Sequence, residues 1–290
     1  MRLRRNLLRL HAVNTKDPDA VAQEVEAVLR RSFPGAEAAF VRRAFGWVRD
    51  CFGGRCPGYQ AIDAGYHDLE HTLQGTLCLM RLLGRRHEAG VPPVLSASLF
   101  ERALLAILLH DTGYLKTTGD AEGTGAKYTL THVTRSGEFA AQFLAARGYD
   151  PAPVQSVQNM IRCTGVNADL QAIPFADDAE RIAGYALGTA DLLGQMAADD
   201  YLEKLPELYQ EFTEAVRFNP GRALPSITFA SAEELVRSTP GFWERYVWPK
   251  INQDFRGLFR FLNDPYPDGP NWYVRQVEAN LARLRLKLAA

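Results

Sequence analysis

The sequence lacks most of the signals that mark membrane, nucleic-acid-binding or disulfide-stabilised proteins. No run approaches the roughly 20 apolar residues of a membrane-spanning helix. The formal net charge is −1, without the large basic excess of proteins that bind nucleic acid in bulk. Only four cysteines occur, and the spacing of Cys51 and Cys56 in CFGGRC is not that of a zinc knuckle. We therefore expect reduced thiols in a cytoplasmic protein.

Strand patterns are also scarce, and helical periodicity dominates the chain. Apolar residues recur every three or four positions in segments such as AVAQEVEAVLRRSF and DAERIAGYALGTADLLGQM. We predict an all-α fold whose helical core covers residues 61–215. A helical extension over residues 1–60 packs on this core, and residues 216–290 form a C-terminal extension of the same domain. The Arg-rich first ten residues lack the uninterrupted apolar core of a signal peptide and predict a terminal helix.

The stretch from Asp111 to Leu130 interrupts the helical pattern with closely spaced glycines and threonines. Loops of this length in compact domains are usually functional or mobile. The stretch lacks the GxxxxGK[ST] order of a P-loop, so it does not indicate nucleotide binding. Its glycines suit a flexible lid over a functional site.

Four of the six histidines and two carboxylates lie in or beside apolar segments. His67 and His71 are four residues apart in YHDLEHTLQ, a spacing that places both imidazoles on one face of a helix. His110 and Asp111 end the apolar run ALLAILL, and Asp191 lies inside the apolar segment GYALGTADLLGQM. A buried imidazole or carboxylate needs a partner, and a metal ion is one such partner.

Each of these features has an alternative explanation when it is taken alone. An HxxxH pair is often solvated, an HD dipeptide arises by chance, and an aspartate in an apolar helix can cap or bridge a neighbour. Their joint occurrence favours a metal site, and His132 adds a further candidate at the start of the helix after the loop. Mixed histidine and carboxylate ligands suit a divalent Mn, Mg, Fe, Zn or Ni ion without distinguishing among them.

The order of the motifs YHDLEHTLQ, LLHDTGYL, THVTRSGEFAAQFL and GTADLLGQM resembles the HD superfamily of metal-dependent phosphohydrolases. This resemblance extends over about residues 66–211. The first motif is also similar to the YHNxxH opening of cyclic-nucleotide phosphodiesterases. The resemblance implies an all-helical HD-domain bundle with four metal ligands, which are His71, His110, Asp111 and Asp191.

The same resemblance implies roles for three residues in catalysis. The histidine that matches His67 protonates the leaving oxygen in the phosphodiesterase branch. The aspartate that matches Asp111 bridges the two ions in two-metal members, and His132 lies where a ligand of the second ion often falls. The next histidine of that family pattern is absent here, because NMIRCTGV offers Cys163 and Thr164 instead. A second metal therefore depends on His132.

The implied activity is metal-assisted hydrolysis of a phosphate ester, either monoester or diester, of a nucleotide or small metabolite. Candidate substrate-binding side chains follow the HD pair: Lys116, Lys127, Tyr128 and Arg135. Two other functions stay open at this point. One is an HD-type di-iron oxygenase, and the other is a non-catalytic helical signalling module with a retained metal site. The substrate and the oligomeric state do not follow from the sequence.

Overall fold

The fold is known from a computed structural model, which describes residues 13–221 and 227–289. This part of the chain is all-α, with short 3₁₀- and π-helical turns, two isolated β-bridges and no strand. The predicted fold class is therefore confirmed. No helix within these ranges is long and apolar enough to cross a membrane. The terminal helix predicted for the first ten residues lies outside the described residues.

The α-helices of the described ranges are numbered here in chain order. They are α1 (Pro18–Ser32), α2 (Ala39–Phe52), α3 (Leu69–Glu88), α4 (Ala97–Leu109), α5 (His132–Ala145), α6 (Pro151–Ile161), α7 (Asp178–Met196), α8 (Tyr201–Phe218), α9 (Ala232–Phe242) and α10 (Trp272–Ala289). The shorter turns are 3₁₀ at Thr112–Tyr114, Gly125–Tyr128, Arg162–Thr164 and Leu258–Leu262, and π at Trp243–Val247 and Lys250–Asp254.

The first turn of α3 corrects one sequence prediction. Asp68 has an extended backbone and caps the helix, because its Oδ1 accepts a hydrogen bond of 2.8 Å from the His71 amide. His67 therefore lies before the helix, and the prediction that His67 and His71 share one helix face is wrong. The two imidazole rings are still neighbours, with centroids 5.3 Å apart.

Helix α9 is an element that the apolar periodicity does not predict. Ser231 caps it by accepting a bond of 3.3 Å from the Glu234 amide, and the Glu234 carboxylate accepts a bond from the Ala230 amide. This pair of bonds resembles a capping box, except that the glutamate binds the amide one residue before the cap. The helix ends close to Pro240, and the following segment, predicted as regular helix, forms π-helical turns on either side of Pro249.

Two glycines allow α3 and α7 to meet backbone to backbone at the centre of the fold. A Cβ atom on Gly194 would lie 2.8 Å from the backbone of Gln74, and one on Gly75 would lie 3.7 Å from the Asp191 Cα. This close approach brings the first turn of α3 next to Asp191. Apolar residues from Val21 to Leu284 pack in one core around this pair. The domain boundaries at residues 60 and 215 stay a prediction.

Candidate metal centre

Three helices bring the four predicted ligands together at the centre of the fold. His71 lies in the first turn of α3, His110 and Asp111 follow the last turn of α4, and Asp191 lies within α7. His71 Nε2 is 3.3 Å from both Asp111 Oδ2 and Asp191 Oδ1. His110 Nε2 is 3.2 and 3.4 Å from the same two oxygens. Two imidazole nitrogens and two carboxylate oxygens thus alternate around one point, and we call these four residues the ligand square.

The atoms of the ligand square are buried, and three of them lack a protein partner. The four residues are between 1% and 9% exposed. His110 Nε2, Asp111 Oδ2 and Asp191 Oδ1 make no well-aligned hydrogen bond to any described residue, despite their short separations. A buried polar atom without a partner costs about 1–3 kcal/mol. Because one cation at the centre of the square would satisfy all three, this donor set could hold a metal ion.

The charges of the square also suit a cation. Burial by itself lowers the pKa of His71, but its contacts with Asp111 and Asp191 raise that pKa to about 10. Burial by itself also lowers the pKa of His110, but the same two carboxylates outweigh this effect, and the pKa of His110 is raised. Burial by itself raises the pKa of Asp111 and Asp191, yet the adjacent histidines hold both pKa values below the usual range. Without metal, protons on the imidazoles balance the carboxylates, and a metal ion would displace those protons.

Backbone carbonyls fix the orientation of two histidine rings. His110 Nδ1 lies 2.7 Å from the Ile107 oxygen, and His132 Nδ1 lies 2.6 Å from the Thr129 oxygen. A carbonyl oxygen only accepts, so Nδ1 must carry the hydrogen in each bond. In the neutral ring Nε2 is then the lone-pair atom, which is the arrangement that a metal-binding histidine requires.

A second, more open group adjoins the ligand square. His132 Nε2 lies 3.9 Å from Asp111 Oδ1, the carboxylate oxygen that the square does not use. The rings of His67 and His132 have centroids 5.9 Å apart, and each stacks on Tyr114, at 4.6 and 4.8 Å. Burial lowers the pKa of His132, which favours its neutral form. The structure thus brings both of these predicted histidines to the site.

Glu211 is a residue of the site that the sequence patterns did not single out. It lies on α8, is 3% exposed, and its Oε2 accepts a bond of 2.5 Å from His67 Nδ1. Its other oxygen accepts from the amides of Tyr66 and His67 at 2.7 and 3.2 Å. Burial by itself raises the pKa of Glu211, but His67 reverses the effect and lowers it. Its place three residues after Leu208 and four before Ala215, on the apolar side of α8, is the signal that could have found it.

The two predicted substrate-binding lysines make contacts within and around the segment after the HD pair. Lys116 Nζ lies 2.8 Å from Asp63 Oδ2 and donates a bond of 2.7 Å to the Gly123 oxygen. Lys127 pairs with Asp120. Both lysine side chains are at least nine-tenths buried, at 7% and 10% exposed. These contacts tie the segment down, and a role for either lysine in substrate binding stays a prediction.

Tyr128 and Arg135 also make hydrogen bonds to nearby residues of the segment after the HD pair. The Tyr128 hydroxyl donates a bond of 2.5 Å to Asp120. Arg135 donates bonds of 2.8 and 2.7 Å to the carbonyls of Gly113 and Leu115, and its guanidinium stacks 3.5 Å from the Tyr128 ring centroid. The stretch predicted as a loop therefore contains two 3₁₀ turns held by specific contacts. Substrate contacts of Tyr128 and Arg135 stay predictions.

A cavity of about 310 Å³ lies beside α3, away from the histidine rings. Its lining includes Lys16, Glu70, Gln74, Arg81 and Asp200. This cavity contains no member of the ligand square. We place the candidate metal centre at the square, because converging unpartnered ligand atoms are a more specific signal than volume.

Comparison with known proteins places the chain in a family without assigning it an activity. Residues 118–263, about half of the chain, match the family described as Npun_R2479-like, and the chain belongs to that family. The matched range includes His132, Asp191 and Glu211 and begins after the HD pair. No curated protein matches the sequence.

Proposed function

We propose that this member of the Npun_R2479-like family is a metal-dependent phosphohydrolase of the HD type, which cleaves a phosphate ester of a nucleotide or small metabolite. The observation that carries the proposal is the ligand square. Residues in the order His71, His110-Asp111, Asp191 converge on one buried point, where three of their atoms lack any other partner. The same order of ligands is the feature that resembles the HD superfamily.

The residues of the square would hold the ion, and the rest of the site would handle the substrate. When bound, a divalent ion lowers the pKa of a coordinated water and neutralises charge on phosphate oxygens. Asp111 presents Oδ2 to the square and Oδ1 toward His132, so its carboxylate has the two-sided placement that a bridging ligand needs. A second ion, if one were held, would depend on His132.

His67 is our candidate for the general acid. Glu211 accepts from His67 Nδ1, so Nε2 is the nitrogen left to give a proton to the leaving oxygen of the substrate. The buried Glu211 carboxylate also holds the ring in place through this bond, and stacking on Tyr114 fixes its plane. General-acid catalysis of this kind contributes about 10²–10⁴-fold to a rate.

The test is a metal-resolved activity screen of purified protein. Metal-free protein is reloaded with Mn, Mg, Fe, Zn or Ni and assayed with bis-p-nitrophenyl phosphate, p-nitrophenyl phosphate and a panel of nucleotides. We expect hydrolysis with at least one ion, and loss to background in Asp191→Asn. The matched control is Asp178→Asn, an exposed carboxylate in the first turn of the same helix.

Three outcomes would overturn the proposal. Hydrolysis that survives His110→Ala would remove the square from catalysis, and an absence of hydrolysis with every ion would favour the non-catalytic signalling module. A mixed-valence di-iron signal in anaerobic electron paramagnetic resonance, together with substrate oxidation, would favour the oxygenase.

A further inference from the structure

One ring nitrogen of the ligand square has no partner among the described residues. His71 Nε2 faces Asp111 and Asp191, whereas His71 Nδ1 is buried without a hydrogen bond to any described residue. The Nδ1 atoms of His110 and His132 are each held by a backbone carbonyl. A histidine that binds metal through Nε2 carries a hydrogen on Nδ1 and almost always donates it. His71 therefore needs an acceptor that none of the described residues supplies.

A small cavity adjoins the His71 ring. Its volume is about 10 Å³, and seven of its eight described lining residues have a polar side chain, among them His71, Gln74 and Tyr201. One water molecule needs a cavity of roughly 10–15 Å³, and cavities that stay dry are apolar. The small cavity is therefore of the size and the polarity that suit a single water.

Two of the lining side chains have hydrogen-bonding capacity that the protein does not use. Gln74 and Tyr201 are 8% and 5% exposed, and neither forms a side-chain hydrogen bond with a described residue. Buried amides and hydroxyls normally have a partner. Gln74 follows His71 by three residues, so the two side chains share a face of α3. Tyr201 begins α8, on the other side of the cavity.

The remaining walls of the small cavity are held by bonds of their own. The Tyr66 hydroxyl donates a bond of 2.7 Å to Gln195 Oε1, and Gln195 Nε2 donates one of 3.1 Å to the Asp191 carbonyl. Lys204, which also lines the cavity, lies 2.6 Å from an Asp68 oxygen and 3.5 Å from a Glu70 oxygen. Because these carboxylates balance the charge of Lys204, the cavity suits a neutral molecule better than an anion.

We propose that the small cavity binds one water molecule, which accepts a hydrogen bond from His71 Nδ1 and is held by Gln74 and Tyr201. This water would fix the plane of the His71 ring and keep the lone pair on Nε2, where the ligand square needs it. Gln74 and Tyr201 are then positioning residues for a metal ligand. That role rests on the proposed function, whereas the water site itself does not require the metal.

Crystals of the full-length protein, metal-free and loaded with Mn²⁺, test the water site directly. In both we expect density for one water within hydrogen-bonding distance of His71 Nδ1 and of Gln74 or Tyr201. A well-ordered cavity without such density, in high-resolution maps of the wild-type protein, would overturn the proposal.

The double variant Gln74→Leu, Tyr201→Phe tests the role of the water. Both changes keep much of the side-chain volume and remove a polar partner, so the water should be lost and the Kd for Mn²⁺ should rise about tenfold in calorimetry. The matched control is Tyr209→Phe, about two turns further along α8, where the hydroxyl donates to the Ala230 carbonyl at 3.4 Å. Its Kd should equal that of the wild type.

Three results would overturn the positioning role in distinguishable ways. Loss of the water with an unchanged Kd would show that His71 does not need it. A double variant that kept both the water and the wild-type Kd would show that Gln74 and Tyr201 do not hold it. In either case metal binding by the wild type would leave the proposed function standing. If the wild type bound no divalent ion, the proposed function would fail, and the positioning role with it.

Discussion

The site has two halves that differ in how they are held and how far they open. The closed half consists of His71, His110 and Asp191 with Asp111 Oδ2, and its histidine side chains are at most 5% exposed. The open half consists of His67 and His132 with Asp111 Oδ1, and its histidines are 15% and 19% exposed. Asp111 is the one residue that contributes an oxygen to each half.

The halves also differ in their supports. The backbones of α3, α4 and α7 fix the closed half, together with the Ile107 carbonyl at His110 Nδ1, and its ligand atoms face one another. In the open half, Glu211 and the Thr129 carbonyl each bind one ring nitrogen, and the Tyr114 ring packs against both imidazoles. Under the proposed function, the closed half would retain a metal ion and the open half would act on the substrate.

The largest effect on metal content and activity is expected when one histidine is removed at a time, first from the closed half and then from the open half. His110→Ala should lose both bound metal and hydrolysis, because the ion would lose one of the four residues proposed to hold it. His132→Ala should keep one equivalent of metal while its activity falls. Metal content after gel filtration, measured by inductively coupled plasma mass spectrometry beside turnover, separates the two. Equal metal loss in both variants would contradict the division into halves.

A smaller effect on activity is expected when Glu211, which binds His67 in the open half, is changed. Glu211→Gln should lower kcat by about 10–100-fold with metal content unchanged, because the neutral amide makes a weaker bond to His67 Nδ1 than the carboxylate does and orients the ring less firmly. Glu214→Gln is the control, one turn further along α8, where the carboxylate holds Thr124 instead. If the two variants lowered kcat equally, Glu211 would be only structural.

The closed half should make metal binding depend on pH. The pKa of His71 is raised to about 10, so this ring is protonated at neutral pH without metal and must lose that proton to become a ligand. Metal affinity should therefore rise with pH below 10, by up to tenfold per unit for each proton released. Calorimetry at pH 7 in two buffers of different ionisation enthalpy counts these protons. A heat of binding independent of the buffer would exclude the exchange.

The smallest effect concerns the helix packing beneath the closed half. Gly194→Ala should lower the free energy of unfolding by about 1–3 kcal/mol, because the added Cβ would meet the Gln74 backbone at 2.8 Å. The control is Gly137→Ala on α5, where no atom lies within 4 Å of an added Cβ. Urea titrations of both variants measure the difference. An equally stable Gly194→Ala protein would show that α3 and α7 need no backbone contact.

The closed half was the more predictable of the two. The spacing of apolar residues predicts buried helices, and a polar residue within or directly after one is easy to detect. Asp191 and His110, which follows ALLAILL, are examples. Helices α4 and α7 lie close to where the periodicity places them, within Ala97–Leu109 and Asp178–Met196. The sequence pattern could therefore indicate which residues meet, although it could not give their distances.

The open half depends on contacts that local patterns do not encode. Glu211 reaches His67 across 144 residues of chain, and only the tertiary fold brings them together. The helix at Asp68 begins later than the HxxxH spacing suggests, because a side-chain cap overrides the periodicity. Charge alone also does not show which contacts a lysine makes, since Lys116 binds Asp63 and the Gly123 carbonyl and Lys127 binds Asp120.

The most direct test of the account is to locate the metal itself. Crystals of the full chain grown with Mn²⁺ should give an anomalous difference peak within coordination distance of His71 Nε2, His110 Nε2, Asp111 Oδ2 and Asp191 Oδ1. A weaker second peak between Asp111 Oδ1 and His132 would add a two-metal site. Data of good quality with no peak at the ligand square, while the four side chains keep the positions described here, would contradict the central claim.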